Sequence, residues 1–251
     1  MSEQSASSLP SFARVLLALL LPFAGAALFS LLVGGSAALT DDSQSGRALQ
    51  FAGAGLVSWL VGWRWYGLNG LGLRGGRPLT AGIGFATLAW LAFIIVRFFA
   101  VEVANYGSPD GTRAFIYILL FEAFCTQLWA YGLFFRSVAD WRGPLTAAVS
   151  SGILFGALAF LFFQESFAAM ASGLIYFTVW GVVYGIIRLR TGTLLGPVVV
   201  QALQSWTTWY VMAPLDPANT DELRNLYLIG SAAYLIIIWR LWPRQESDYR
   251  V

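Results

Sequence analysis

Long apolar blocks alternate with short polar connections along almost the whole chain. A membrane's hydrocarbon core of about 30 Å needs about 20 mostly apolar residues per helix, and the blocks reach this length. They are too long and too evenly apolar for barrel strands, whereas a helix satisfies its own backbone hydrogen bonds in lipid. The pattern therefore predicts an all-α polytopic membrane helix bundle with about eight transmembrane helices. The predicted spans are 12–35, 48–66, 80–101, 113–135, 144–163, 167–187, 193–213 and 225–242.

These spans leave no room for a soluble module, so we predict a single membrane domain over residues 1–251. Three N-terminal helices occupy 12–101, a core of helices occupies 113–213, and the last helix occupies 225–242. The first apolar block is longer than the apolar region of a usual signal peptide and has no clear small-residue cleavage site. We predict that it is retained as the first span.

The distribution of arginine predicts the orientation of the bundle. All 15 basic residues are arginine, and four of them lie at one set of helix ends: Arg47, Arg97, Arg113 and Arg224. The other eleven lie at the N-terminus, in the connections after spans two, four and six, and in the C-terminal tail. Because cytoplasmic connections carry the excess of positive charge, we predict both termini in the cytoplasm and a multi-pass protein of the inner (plasma) membrane.

The amino-acid composition excludes several kinds of chemistry. The chain is 58% hydrophobic and 11% charged, and it has no histidine and no lysine. A lysine Schiff base, an imidazole metal site and a histidine general base are therefore excluded. The single cysteine, Cys125, excludes an internal disulfide. We expect no cofactor and no metal, and the partners that we expect are the lipid bilayer and a membrane protein or peptide, not a nucleic acid.

Polar residues inside the predicted spans are the candidates for a functional site, because a charged side chain at a helix centre costs about 2.5–3.5 kcal/mol on insertion scales. Helical spacing places each of three pairs on one face, since residues four apart are neighbours. The pairs are Glu122 with Thr126 and Gln127 with Tyr131 in span four, and Gln201 with Ser205 in span seven. Span five adds Ser150 and Ser151, and Gly132, Gly152 and Gly156 would allow helices to approach closely.

A framework of short motifs surrounds these residues between Phe121 and Trp206. It consists of Arg142-Gly143-Pro144, Ser151, Phe155-Gly156 and Thr191-Gly192-Thr193-Leu194-Leu195-Gly196-Pro197. In order and spacing it resembles the CPBP intramembrane proteases, which are related to the CAAX prenyl endopeptidases and to bacterial bacteriocin-immunity and abortive-infection membrane proteins. The motifs of that family are Glu-Glu-x-x-x-Arg-Gly, then Phe-Gly-x-x-His, then His-x-x-x-Asn.

The functional positions that the resemblance implies carry other residues here. The replacements are Thr126 and Gln127 for the two acids, Tyr131 for the arginine, Ala159 for the first histidine, Gln201 for the second and Ser205 for the asparagine. In the family, the acids and histidines are thought to activate water, which requires a base and a polarised electrophile. None of the replacements is a base near neutral pH, but most of them donate and accept hydrogen bonds. The resemblance thus predicts a neutral polar pocket in which these six residues converge.

Three hypotheses about function remain open at this point. The first is a non-catalytic pseudo-protease that binds a membrane peptide or protein partner. The second is an active endopeptidase in which Glu122 serves as a displaced base. The third is a transporter of lipids or small molecules that shares only the helical background. As a structural alternative to catalysis, Glu122 would brace span four against span three through Arg97.

Overall fold

The computed structural model describes residues 9–41, 43–106, 111–162, 170–214 and 219–250. Within them, eight long helices follow one another in the predicted order, which confirms the helical membrane bundle. They are α1 (Ser11–Gly34), α2 (Gln44–Gly70), α3 (Arg77–Ala100), α4 (Gly111–Arg142), α5 (Pro144–Phe162), α6 (Met170–Thr191), α7 (Leu195–Trp206) and α8 (Thr220–Leu241).

Two of these helices widen into π-helical turns. In α4 such turns occupy Ile118–Ala123 and Leu128–Phe134, and α7 continues through a π-helical turn at Thr207–Val211. The boundaries of α4 also differ from the prediction. The helix continues to Arg142 because its last turns pack against α1 and α5, instead of ending where the apolar pattern does.

The surface of the bundle is that of a multi-pass membrane protein. In the part of the chain that the structure describes, four helices are long and apolar enough to cross a membrane, namely Ser11–Gly34, Arg77–Ala100, Gly111–Arg142 and Ala171–Thr191. Large apolar side chains on the outside of the bundle, such as Phe99 and Leu32, are exposed and would contact lipid. In contrast, 72% of the apolar window is buried in both α4 and α6, against 28% in α1 and 22% in α3. The centre of the fold is therefore built on α4 and α6.

A small antiparallel sheet was not predicted. Strand β1 (Val103–Tyr106) follows α3 and pairs with strand β2 (Met212–Pro214), which follows α7. The end of predicted span 193–213 is thus extended chain instead of helix. The two strands are more than a hundred residues apart in the sequence and have only four and three residues. Segments this short show no apolar periodicity from which their pairing could be predicted.

Glycine permits the close contact of α5 with α6. A Cβ atom on Gly152 would lie 2.5 Å from the backbone nitrogen of Val182, and one on Gly156 would lie 2.6 Å from Cα of Thr178. Small residues at a helix crossing let two backbones touch, as predicted for these two positions. At Gly132 the neighbours stand farther away, at 3.2 Å or more from such a Cβ.

Different parts of the chain lie at the two ends of the bundle. At one end Arg14 Nη1 of α1 lies 3.3 Å from Asp140 Oδ2 of α4, and the backbone N–H of Arg250 donates to the carbonyl of Leu189 across 2.8 Å. At the other end lie β1 and β2, where the backbone N–H of Glu102 donates to Glu222. The beginning of α1 and the C-terminal tail therefore share one end of the bundle.

Candidate functional site

The polar turn of α4 lies in the interior of the bundle. Gln127 and Tyr131 are completely buried and Thr126 is 6% exposed. The hydroxyl of Thr126 donates to the carbonyl of Glu122 within the same helix, a local bond that satisfies a buried threonine without help from another helix. The Gln127 side-chain nitrogen and the Tyr131 hydroxyl bond to other helices, whereas Gln127 Oε1 has no partner among the described residues.

Gln127 and Gln201 bond directly to each other. Gln127 Nε2 donates to Gln201 Oε1 across 2.7 Å, and this bond joins α4 to α7. Both side chains are buried, with Gln201 3% exposed. A carboxamide neither gains nor loses a proton near neutral pH, so this pair is electrically neutral and cannot act as a general base.

One turn along the same two helices, Ser205 and Glu122 form a second contact. The hydroxyl of Ser205 donates to Glu122 Oε1 across 3.4 Å, at the long end of the range for such a bond. Glu122 thus braces α4 against α7. The expected brace to Arg97 is absent among the described residues, because Arg97 Nη2 donates instead to the carbonyl of Met212 across 2.8 Å.

Tyr131 turns away from this group and toward α6. Its hydroxyl donates to the carbonyl of Gly181 across 2.6 Å, and its ring centroid lies 5.8 Å from that of Phe155 in α5. Ala159 lies one turn beyond Phe155 and is 5% exposed. The structure therefore brings Thr126, Gln127, Gln201 and Ser205 together with Glu122 along α4 and α7, and it places Tyr131 and Ala159 beside the aromatic packing of α5 and α6.

Arg188 is a buried cation that sequence reasoning assigned to a cytoplasmic connection. Its side chain is completely buried, its Nε donates to the carbonyl of Tyr131 across 3.2 Å, and its Nη2 donates to the carbonyl of Gly70 across 2.9 Å. The guanidinium carbon also lies 5.2 Å from the centroid of the Phe135 ring. Arg188 thereby ties α6 to the backbone of α2 and α4. No sequence signal separates it from the exposed arginines of the connections.

A cavity of about 50 Å³ lies beside α7. Helices α3, α6, α7 and α8 enclose it. Its walls include Ser205 and the neighbouring Gln204, whose side-chain amide donates to the hydroxyls of Tyr176 and Tyr234 across 3.2 and 3.1 Å. Sequence reasoning missed Gln204, although its position three residues after Gln201 gives α7 a third buried polar residue.

Among the described residues, no group of three or more histidine, cysteine, aspartate or glutamate side chains could hold a metal ion. The neutral side chains of the site can donate and accept hydrogen bonds, and Glu122 adds one carboxyl group.

Comparison with known proteins agrees with the resemblance seen in the residues. Residues 108–207 match the family model described as Rce1-like, type II CAAX prenyl endopeptidase. The match begins just before α4 and ends at the π-helical turn that continues α7, so it contains every residue of the candidate site. Searches among curated proteins and among solved structures each gave no match.

Proposed function

We propose that this multi-pass membrane protein, whose residues 108–207 match the Rce1-like family model of type II CAAX prenyl endopeptidases, is a non-catalytic member of that family that binds a membrane peptide or protein partner in its helical core. The observation that carries the proposal is the hydrogen bond between Gln127 and Gln201. Two neutral carboxamides bond to each other across 2.7 Å at positions where the family resemblance implies an acid and a histidine.

Peptide hydrolysis requires a base that activates water and a group that polarises the carbonyl. The Gln127 donor and the Gln201 acceptor already satisfy each other, and the chain contains no histidine. The Tyr131 hydroxyl is likewise engaged with the carbonyl of Gly181. These groups support a packed and neutral core instead of a site that holds a reactive water.

Glu122 is the one group that favours a second candidate, an active endopeptidase with a displaced base. Its carboxylate lies 3.4 Å from the hydroxyl of Ser205, which stands where the resemblance implies the asparagine. A carboxylate beside a hydroxyl is a minimal base and donor pair. Catalysis by this pair would depend wholly on the carboxylate of Glu122.

A cleavage assay separates the two candidates. Purified protein in liposomes is incubated with a farnesylated peptide that ends in a CAAX sequence, and the released C-terminal peptide is measured by mass spectrometry. We expect no release above that from empty liposomes, for the wild type and for Glu122→Gln alike. Release by the wild type that disappears in Glu122→Gln would establish the active endopeptidase instead.

Partner binding is tested separately by site-specific photo-crosslinking in membranes. A crosslinking residue replaces Leu203, a partly buried residue of α7 between Gln201 and Ser205, and in the control it replaces Ile236, a lipid-facing residue that is 65% exposed. We expect a peptide or protein adduct from position 203 and only lipid adducts from position 236. Lipid adducts alone from both positions would count against a protein or peptide partner.

The proposed location is the inner (plasma) membrane with both termini in the cytoplasm. The end of the bundle that holds the start of α1 and the C-terminal tail also holds most of the arginine residues of the connections, including Arg142 and Arg190. An excess of arginine is typical of the cytoplasmic side.

A further inference from the structure

The cavity beside α7 contains a buried cation whose hydrogen-bonding capacity is only partly used. Arg97, in the last turn of α3, lines the cavity and is 1% exposed. Its Nη2 bonds to the carbonyl of Met212, whereas Nε and Nη1 have no partner among the described residues. A buried charged group with unmet donors is costly and calls for an explanation.

Three other polar groups on the cavity wall are already occupied. Gln204 bonds to two tyrosine hydroxyls, Ser205 donates to Glu122, and the hydroxyl of Thr208 donates to the carbonyl of Gln204 across 2.9 Å. The rest of the wall is aromatic or aliphatic: Phe93, Tyr176, Phe177, Trp180, Leu223, Leu226 and Tyr227. Arg97 is therefore the charged wall group that offers free donors to a ligand, and the indole N–H of Trp180, which has no partner among the described residues, is a further free donor.

The nearest acid on α8 does not neutralise Arg97 by direct contact. No ion pair to Arg97 occurs within 4.0 Å in the described part of the chain, and Glu222 accepts a hydrogen bond from the backbone N–H of Glu102 across 2.9 Å. Glu222 lowers the positive potential at the cavity, but it accepts no hydrogen bond from Arg97. The site thus suits a ligand with one negative charge better than a ligand with two.

We propose that this cavity binds a small monocarboxylate, with the carboxylate on Arg97 and a short apolar body against the aromatic wall. The volume of about 50 Å³ fits a ligand of a few heavy atoms and is too small for a lipid tail. Charge-assisted hydrogen bonds in an apolar pocket supply the affinity. This proposal goes beyond the non-catalytic role and holds whether or not the protein hydrolyses peptides.

The test uses the full-length protein in nanodiscs and fluorine NMR, which detects weak binding. The probes are fluoroacetate and its neutral counterpart 2-fluoroethanol, each titrated against protein-loaded and empty nanodiscs. We expect saturable binding of the carboxylate to the wild type and at least about tenfold weaker binding of the alcohol, the loss that corresponds to one charge-assisted hydrogen bond. Equal binding of both probes, or no saturable binding of the carboxylate, would overturn the proposal.

Variants assign the binding to Arg97. In Arg97→Gln we expect carboxylate binding to weaken at least about tenfold, whereas Arg224→Gln, an exposed arginine on α8, should bind like the wild type. Arg97→Lys keeps the charge with fewer donors and should bind with intermediate strength. If Arg97→Gln does not fold, Arg97→Lys and the comparison of the two probes on the wild type decide the question. Unchanged binding in a folded Arg97→Gln would refute the site.

Discussion

Gln127 of α4 and Gln201 of α7 share a buried hydrogen bond of 2.7 Å that spans 74 residues of sequence. Side-chain hydrogen bonds between helices in membrane proteins contribute about 0.6 kcal/mol on average and about 1.7 kcal/mol at most. The bond is thus too weak to hold the bundle together by itself. It does fix which face of α7 meets α4, because any other rotation of α7 would leave two carboxamides buried without partners.

Removal of either glutamine leaves the other unsatisfied, and this leads to a prediction about coupling. We expect Gln127→Leu and Gln201→Leu each to lower the free energy of unfolding by about 1–2 kcal/mol. The double variant should lose less than the sum of the two, with a coupling energy of about 0.6–1.7 kcal/mol. Denaturant unfolding in mixed micelles measures all three variants. As a control, Gln201→Leu combined with Gly84→Ala, whose added Cβ meets nothing within 4 Å, should be additive, and additivity of the two glutamine variants would show that their bond contributes nothing.

Arg188 gives a second prediction about the core. In Arg188→Met the carbonyls of Tyr131 and Gly70 lose their donors, although the cost of burying a cation is also removed. We expect a net loss of about 1–3 kcal/mol in the free energy of unfolding, since two hydrogen bonds from a charged donor are lost. Arg188→Lys has a single side-chain nitrogen, and its free energy of unfolding should lie between those of the wild type and Arg188→Met. The same unfolding assay applies, with the exposed Arg240→Met as control. An Arg188→Met variant as stable as the wild type would mean that the two bonds add nothing to stability.

The helices could be predicted from the sequence, and the contacts between them only in part. The apolar blocks predict all eight long helices in the described residues, because membrane insertion imposes length and hydrophobicity on each block separately. The spacing of Gln127 and Tyr131 also predicts a polar face on α4. It does not predict that Gln127 bonds to α7 while Tyr131 bonds to α6, since the π-helical turn at Leu128–Phe134 alters the angle between them.

Arg188 and the β1–β2 pair show why the remainder could not be predicted. A count of the charges that flank each span treats Arg188 like Arg190. Only the tertiary packing shows that Arg188 donates to backbone carbonyls of α2 and α4. The hydrogen bonds of β1 and β2 likewise depend on how α3 and α7 end side by side. Both features arise from contacts between distant segments, which periodicity along the chain does not encode.

The close crossing of α5 and α6 predicts a steric effect. A side chain at position 152 would overlap the backbone of Val182, so Gly152→Val should separate the two helices and lower the free energy of unfolding by about 1–3 kcal/mol or more. The matched control is Gly84→Ala in α3, where an added Cβ meets nothing within 4 Å. This control should be neutral or slightly stabilising, because alanine is the better helix former. Thermal unfolding of both variants measures the difference, and equal stability would contradict the packing.

Asp248 orders the C-terminal tail and leads to a prediction on pH. The backbone N–H of Arg244 donates to Asp248 Oδ2 across 3.0 Å, and this bond lowers the pKa of Asp248 below its ordinary value of 3.8. Because the folded pKa is the lower one, the ordering is complete above pH 3.8 and is lost as the pH falls through the folded pKa. At neutral pH, Asp248→Ala should therefore speed hydrogen exchange at the amides of residues 244 and 245. Glu246→Ala serves as control and should exchange like the wild type, and slow exchange in Asp248→Ala would show that the tail is ordered by other contacts.

The two ends of the bundle predict which introduced cysteines a membrane-impermeant maleimide reaches. Cys125 is buried and is first replaced in a Cys125→Ala background. Thr40→Cys then lies between α1 and α2, whereas Ser247→Cys lies in the tail at the end that also holds the start of α1, and both positions are exposed. If the arginine-rich end is cytoplasmic, intact cells should label Thr40→Cys, and Ser247→Cys should react only after lysis. Labelling of Ser247→Cys in intact cells, with Thr40→Cys protected, would reverse the orientation and place both termini outside.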